Sequence, residues 1–156
     1  MKMEISISKA TVNDINQLID FIRSVYDQAV AQCYSVEGNE EFYKYLDHDW
    51  LRKRLESDHW ILKATELDKL LGIIEIRNNQ HLSMLFVATD NQRQGIGKKL
   101  LQSAIDLIKK ENPQQNTLSV HSSPNSTTAY AKMGFEPTSD EQSANGIRFT
   151  SMQKQI

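Results

Sequence analysis

The sequence predicts an α/β (α+β) fold: a mixed, mostly antiparallel central sheet with helices on both faces. Three observations predict it. Strand-like runs at residues 59–65, 70–77 and 81–88 follow one another across short turn signals, the pattern of consecutive hairpins. Segments with apolar residues at helical spacing lie before and after this block. The run at 81–88, a glycine turn, a helix and a further apolar run at 118–122 together make a β–α–β crossover, which adds a parallel pair to the hairpins.

Residues 4–9 alternate, with Ile5 and Ile7 on one side, and read as a first strand. Thr11 is an N-cap, with Asp14 three residues on as an approximate capping box. Ile15, Leu18, Ile19, Ile22, Val25 and Tyr26 then recur at helical spacing, fading near Cys33. Residues 34–39 read as a loop punctuated by Gly38. A second helical stretch, 40–55, carries Phe42, Tyr45, Leu46, Trp50, Leu51 and Leu55, with a break at 47–49. Leu67-Asp68-Lys69 and Asn78-Asn79 are the turns between the three strands that follow. A long helix spans about 95–111 and Pro113 stops it. Residues 126–133 form a short helix ended by Gly134, a natural C′ residue. Two weaker strands, 135–138 and 147–152, close the chain.

At 156 residues the chain fits one domain, 1–156, long enough for a core without staples. Apolar residues are 39% and charged residues 24%, a soluble globular balance. A net charge of −2 gives no basic footprint for nucleic acid or anionic membrane. No apolar run reaches membrane-spanning length, and the N-terminus carries no signal-like apolar segment. Cys33 is the single cysteine, so no intrachain disulfide forms, and a reducing, cytoplasmic setting follows. Nothing adjacent would activate Cys33 as a nucleophile. The four histidines lack metal-ligand spacing, so no metal is expected.

The stretch Gln92-Arg93-Gln94-Gly95-Ile96-Gly97 ends the run at 81–88 and opens the long helix. Unpaired N–H groups and the helix dipole favour an anion there, and glycine admits a phosphate to the backbone. It is not a Walker A loop, and Leu100 stands where a dinucleotide fingerprint needs its third glycine. What remains is Arg/Gln-x-x-Gly-x-Gly/Ala, and a turn that binds nothing is the bland alternative. A second stretch runs from Asn125 through Tyr130, Lys132, Gly134 and Phe135.

With both stretches in order, the chain resembles the GNAT superfamily of acetyl-CoA-dependent N-acetyltransferases over roughly residues 59–152. Ala129 departs from the pattern, where an aromatic is usual. The resemblance implies a GNAT-like sheet and acetyl-CoA as co-substrate, its pyrophosphate held at Gln92, Arg93, Gln94, Gly95, Ile96, Gly97 and Lys98. It implies that the strand before the glycine loop splays open, so that the thioester arm pairs with the backbone near Phe86 and Val87. It also implies that Asn125 touches the pantetheine arm, although Asn125 equally serves as a helix N-cap. Solvated lysines are the alternative for Lys98 and Lys99.

Acetyl transfer to an amine needs a proton removed from nitrogen, N–H donors for the carbonyl oxygen, and a proton for the departing thiolate. Proximity of the bound substrates does much of the rest. The resemblance places Tyr130 against the sulfur of CoA, as acid or hydrogen-bond donor; packing is its alternative. Glu75 lies in the otherwise apolar Leu71-Gly72-Ile73-Ile74-Glu75-Ile76, where a carboxylate either finds a partner or has a raised pKa. A raised pKa suits a general base; pairing with Arg77, His121 or another strand's cation is the alternative. Ser83 and His121 are candidates for a water relay.

The acceptor is expected between the first two helices, where Glu37, Glu40, Glu41, Asp47 and Asp49 lie among Tyr34, Phe42, Tyr43 and Tyr45. Acid and aromatic residues together hint at a cationic amine, on a small molecule or a protein. The expected activity is direct transfer of acetyl to a primary amine in a ternary complex. Its rivals are a non-catalytic acyl-CoA sensor and a binder of another phosphate ligand. Family relatives leave homodimerisation through edge strands open.

Overall fold

The computed structural model describes residues 4–92 and 94–156. Of the sequence-derived site residues, Arg93 lies outside the described residues. The chain begins with β1 (Ser6–Lys9), a 3-10 turn (Val12–Asp14) and α1 (Ile15–Ala29). The capping box expected at Thr11 is present, on the 3-10 turn: Asp14 Oδ2 accepts from the Thr11 N–H at 2.8 Å. A second 3-10 turn (Ala31–Cys33) leads to α2 (Val36–Tyr45) and α3 (His48–Leu55). The expected loop at 34–39 is therefore mostly helix. Ser35 caps it by accepting from the Gly38 N–H at 3.1 Å, and that cap outweighs the helix-breaking tendency of Gly38. The break expected at 47–49 is real, because Asp47 caps α3.

The strands β2 (His59–Glu66), β3 (Lys69–Arg77) and β4 (His81–Val87) follow as two hairpins. Leu67, Asp68, Asn78 and Asn79 all have positive φ, the conformation of the turns whose twist suits a tight hairpin. Next come α4 (Ile96–Glu111), β5 (Thr117–Ser122) and α5 (Thr127–Lys132). Gly134, at φ +97°, ends α5 as expected. The chain closes with β6 (Glu136–Pro137), β7 (Gln142–Ala144) and β8 (Ile147–Gln155). Strand β7 is an addition to the sequence reading; Asn145-Gly146, both with positive φ, turns it back onto β8.

The sheet order is β1-β2-β3-β4-β5-β8-β6, with β7 on β8. Every pairing is antiparallel except β4 with β5. One face packs Leu62, Ile74, Ile76, Leu82, Leu118 and Val120 against α4 residues Ile96, Leu100, Leu101, Ala104, Ile105 and Ile108. The other packs Ile61, Ile73 and Met84 under Ile15, Leu18, Ile22 and Leu51 of α1 and α3. Truncating a fully buried residue such as Leu100 to alanine costs about 2–5 kcal/mol. Among the described residues no helix is long and apolar enough to cross a membrane, and no group of three or more His, Cys, Asp or Glu is placed to hold a metal.

Candidate active site

The parallel ladder between β4 and β5 is only two residues long, His81↔Ser119 and Leu82↔Val120. Beyond it the strands part. The cause is a bulge: Glu75 pairs with Met84 but Ile76 pairs with Leu82, leaving Ser83 as an extra residue on β4. A bulge bends and twists its strand, here at the point where the ladder ends. The Ala88 N–H donates to Leu71 O at 2.8 Å. By strand alternation, Phe86 turns its backbone groups to β3, while Leu85 and Val87 turn theirs into the gap. Of the two backbone positions expected to serve a thioester, Val87 faces the gap and Phe86 does not. The Phe86 ring instead lies edge-on to Phe42 at 6.0 Å, and both rings line the cleft.

Helix α4 points its N-terminus at this gap. Gly95, at φ +81°, is the cap, and the first intrahelical bond runs from the Lys99 N–H to Gly95 O at 3.0 Å. The N–H groups of Ile96, Gly97 and Lys98 therefore have no helical acceptor. A Cβ on Gly95 would meet nothing within 4 Å, so the backbone there stands open. The helix sits close over β3 because a Cβ at Gly72 would meet Leu100 Cδ1 at 3.0 Å and Ile96 Cγ2 at 3.2 Å. The room that a third loop glycine gives a dinucleotide fold is supplied here from the strand, opposite Leu100. Gln92 holds the strand end, its Nε2 donating to Val87 O at 3.1 Å. Gln94 is exposed in the turn before Gly95.

The gap opens into a cleft of about 1070 Å³, lined by Val87, Gln92, Gly95, Ile96, Gly97 and Lys98 at one end. Tyr34, Phe42, Tyr45, Ser83 and Tyr130 line its middle, and Arg77, His81 and His121 lie further along. A second depression of about 470 Å³, beside Lys9, His59, Trp60 and Asn79, lies away from the splayed strands and the α4 N-terminus.

Tyr130 reaches the cleft from α5 and packs edge-on to Phe135 at 5.4 Å. Burial, with Tyr34 nearby, drives its pKa well above the ordinary phenol value, so it holds its proton. Asn125 lines the cleft, but its Nδ2 donates to Ala29 O at 2.7 Å and its Oδ1 accepts from Ser123 Oγ at 2.7 Å. It ties the β5–α5 loop to the end of α1. Ser126, not Asn125, occupies the cap position of α5.

Of the two states expected for Glu75, the structure shows the partnered carboxylate and not the raised pKa. It is fully buried, and burial alone would raise its pKa. The hydrogen bond to His59, the charge of Arg54 and the Tyr45 hydroxyl outweigh this and hold the carboxyl below its ordinary range. Tyr45 Oη donates to Oε1 at 2.6 Å; Arg54 Nε donates to Oε2 at 3.0 Å, and His59 Nδ1 lies 3.1 Å from it. The partners come from α2, α3 and β2: His59 is the expected group on another strand, while Arg77 and His121 take no part. Sequence could not pair them, since only the fold brings Arg54 within reach of Glu75.

Sequence reasoning missed His81. It is buried in the floor of the cleft, with Nδ1 2.7 Å from Ser119 Oγ and its ring 4.8 Å from His121. Burial, then the charge of Arg77, pushes its pKa down to about 4, and the same two causes lower that of His121. Burial and the Arg77 charge thus hold both imidazoles in the neutral form near pH 7. The available signal was the alternation of His81 and Ser83 in an otherwise apolar strand.

A family model described as acetyltransferase (GNAT) domain matches residues 30–156. The chain is 30% identical over 145 residues to a spermidine N(1)-acetyltransferase of Thermoplasma acidophilum, covering 86% of this chain and 89% of that protein. It superposes on the crystal structure of PaiA N-acetyltransferase from Thermoplasma acidophilum in complex with coenzyme A with a TM-score of 0.82, at 23% identity over 99% of this chain and 100% of that one. A GNAT-family acetyltransferase from Staphylococcus aureus Mu50 gives a TM-score of 0.74 at 18% identity, over 97% of this chain and 99% of that one.

Proposed function

We propose that this chain, which belongs to the GNAT acetyltransferase family, moves the acetyl group of acetyl-CoA to a primary amine by direct transfer in a ternary complex. The observation that carries the proposal is the β4–β5 gap with the N-terminus of α4 aimed at it. The open N–H groups of Ile96, Gly97 and Lys98 suit the pyrophosphate, with Lys98 adding charge. Gln92 keeps Val87 O occupied and the strand end fixed. The Val87 N–H then donates to the thioester oxygen, where charge develops during transfer.

Tyr130 keeps its proton at neutral pH and gives it to the departing thiolate. His81 or His121 takes the proton from the amine, which leaves Glu75 a supporting role: it holds Tyr45 and Arg54 against β3. The net change is an amide and a CoA thiol formed, with one proton released from the ammonium. We also take residues 1–156 as one N-acetyltransferase domain in a reducing, cytoplasmic setting, on the ground that one cysteine forms no intrachain disulfide. Initial rates at varied acetyl-CoA and amine test the mechanism. Intersecting double-reciprocal lines are expected; parallel lines would indicate a covalent acetyl-enzyme and overturn direct transfer.

A further inference from the structure

The end of the cleft beyond Ser83 has an unusual charge balance. Arg77 stands directly across the ladder from His81, and from His59 on the other side. Directly opposite residues on one sheet face have Cβ atoms about 5 Å apart. His81 in turn is paired with Ser119. These four strands thus lay a row of His59, Arg77, His81 and Ser119 along one face of the sheet. Arg77 and His81 line the cleft, and Arg77 is exposed.

Among the described residues Arg77 has no ion pair and donates no side-chain hydrogen bond. The buried carboxylate two residues before it on β3 is committed elsewhere. Both oxygens of Glu75 are taken by Tyr45, Arg54 and His59, and the side chain is fully buried. Glu41, the carboxylate residue that lines the cleft from α2, pairs with Lys44 at 3.4 Å. Among the described residues the other cations of the lining, Lys98 and Lys132, sit on α4 and α5, toward the proposed cofactor. Beside Arg77 stand imidazoles that its charge helps to keep neutral. An acceptor carrying further ammonium groups would meet a guanidinium here, with the neighbouring Glu75 carboxylate already taken. A guanidinium with unoccupied donors matches a carboxylate, which it can bind by two parallel hydrogen bonds.

We propose that Arg77 docks an anionic group on the acceptor, so that the acceptor class is a primary amine that also bears a carboxylate, not a polyamine. The inference rests on the acetyltransferase reading and names the acceptor of that same site. It sets this chain apart from its 30% identical relative, whose name specifies spermidine.

The test compares matched acceptors that differ by one carboxylate, lysine against cadaverine and ornithine against putrescine, with spermidine alongside, at saturating acetyl-CoA. The proposal expects kcat/KM roughly tenfold or more higher for the carboxylated member of a pair, the scale of one charge-assisted contact. Arg77→Ala should raise KM for that member about tenfold and collapse the ratio, with kcat moving less, while Arg77→Lys recovers part of it. The KM for acetyl-CoA reports that each variant is intact. Preference for spermidine, or an equal loss on both members of a pair in Arg77→Ala, overturns the carboxylate proposal and leaves the acetyltransferase reading standing. No transfer to any of the five amines, from protein that binds acetyl-CoA, likewise overturns the carboxylate proposal and leaves the acetyltransferase reading to be tested on other amines.

Discussion

The Tyr45 hydroxyl donates to Glu75 Oε1 at 2.6 Å, tying the end of α2 to the buried middle of β3. Arg54 completes the arrangement. Its Nε donates to the other Glu75 oxygen, its Nη1 donates to Tyr45 O at 2.6 Å, and its guanidinium lies 3.6 Å from the centre of the Tyr45 ring. A buried carboxylate survives in a strand only with such partners. Removing one partner leaves an uncompensated buried charge. Arg54→Ala should therefore cost about 3–5 kcal/mol in urea unfolding. A cost below about 1 kcal/mol, the scale of a surface pair, would contradict the buried-network reading.

Stability should fall in acid, and the sign follows from two groups. His81 has a folded pKa of about 4 against an ordinary 6.5, so between those values the unfolded chain binds the extra proton and unfolding is favoured as pH falls. This costs on the order of 3 kcal/mol by pH 4. Glu75 is lowered from 4.5, so its stabilising effect is present above that value and is lost at still lower pH. Melting temperatures measured from pH 7 to pH 4 should decline, and His81→Gln should flatten the decline above pH 4.5. An unchanged slope in that variant would remove His81 as the cause.

Tyr130→Phe separates chemistry from packing. The ring packs on Phe135, and the residue lines the cleft from α5. Losing the hydroxyl should leave melting nearly unchanged and lower kcat by tenfold or more, within the roughly 10²–10⁴-fold scale of general acid catalysis. The KM for acetyl-CoA should hold. Unchanged kcat returns Tyr130 to packing alone.

Gly97→Asp distinguishes an anion site from a mere turn. Gly97 sits in the first turn of α4, and Val87 Cγ2, at 3.8 Å, is the nearest atom a Cβ would meet. A carboxylate there complements the helix dipole, so the fold should be kept. The same charge repels a phosphate. Stability without ligand should change by less than about 1 kcal/mol, and acetyl-CoA binding should be lost. Normal binding by this variant would move the phosphates elsewhere.

Much of this was legible in the sequence, for local reasons. The strands, the capping box at Thr11, the Asn78-Asn79 turn and the Gly134 stop are each set by neighbours in the chain. The glycine loop and Tyr130 likewise announce themselves by short spacing. What sequence left open is held by distant partners. The partners of Glu75 lie 16, 21 and 30 residues away, so neither its pairing nor the direction of its pKa could be read from β3 alone. The helix at Val36 hid behind Gly38, which is retained because a Cβ there would lie 2.2 Å from Gly146 O, across the fold. The role of Gln92 in holding Val87, and that of Asn125 in holding Ala29, are contacts of the same kind.

The most direct test of the central claim is thermal melting with and without saturating acetyl-CoA, with ATP and NAD as controls. At about one hundred times Kd, binding adds roughly 2.7 kcal/mol, or about 5–10 °C for a domain of this size. The account predicts that rise with acetyl-CoA and its absence with both controls. No rise, or an equal rise with ATP, would mean that the gap between β4 and β5 and the N-terminus of α4 do not form an acetyl-CoA site.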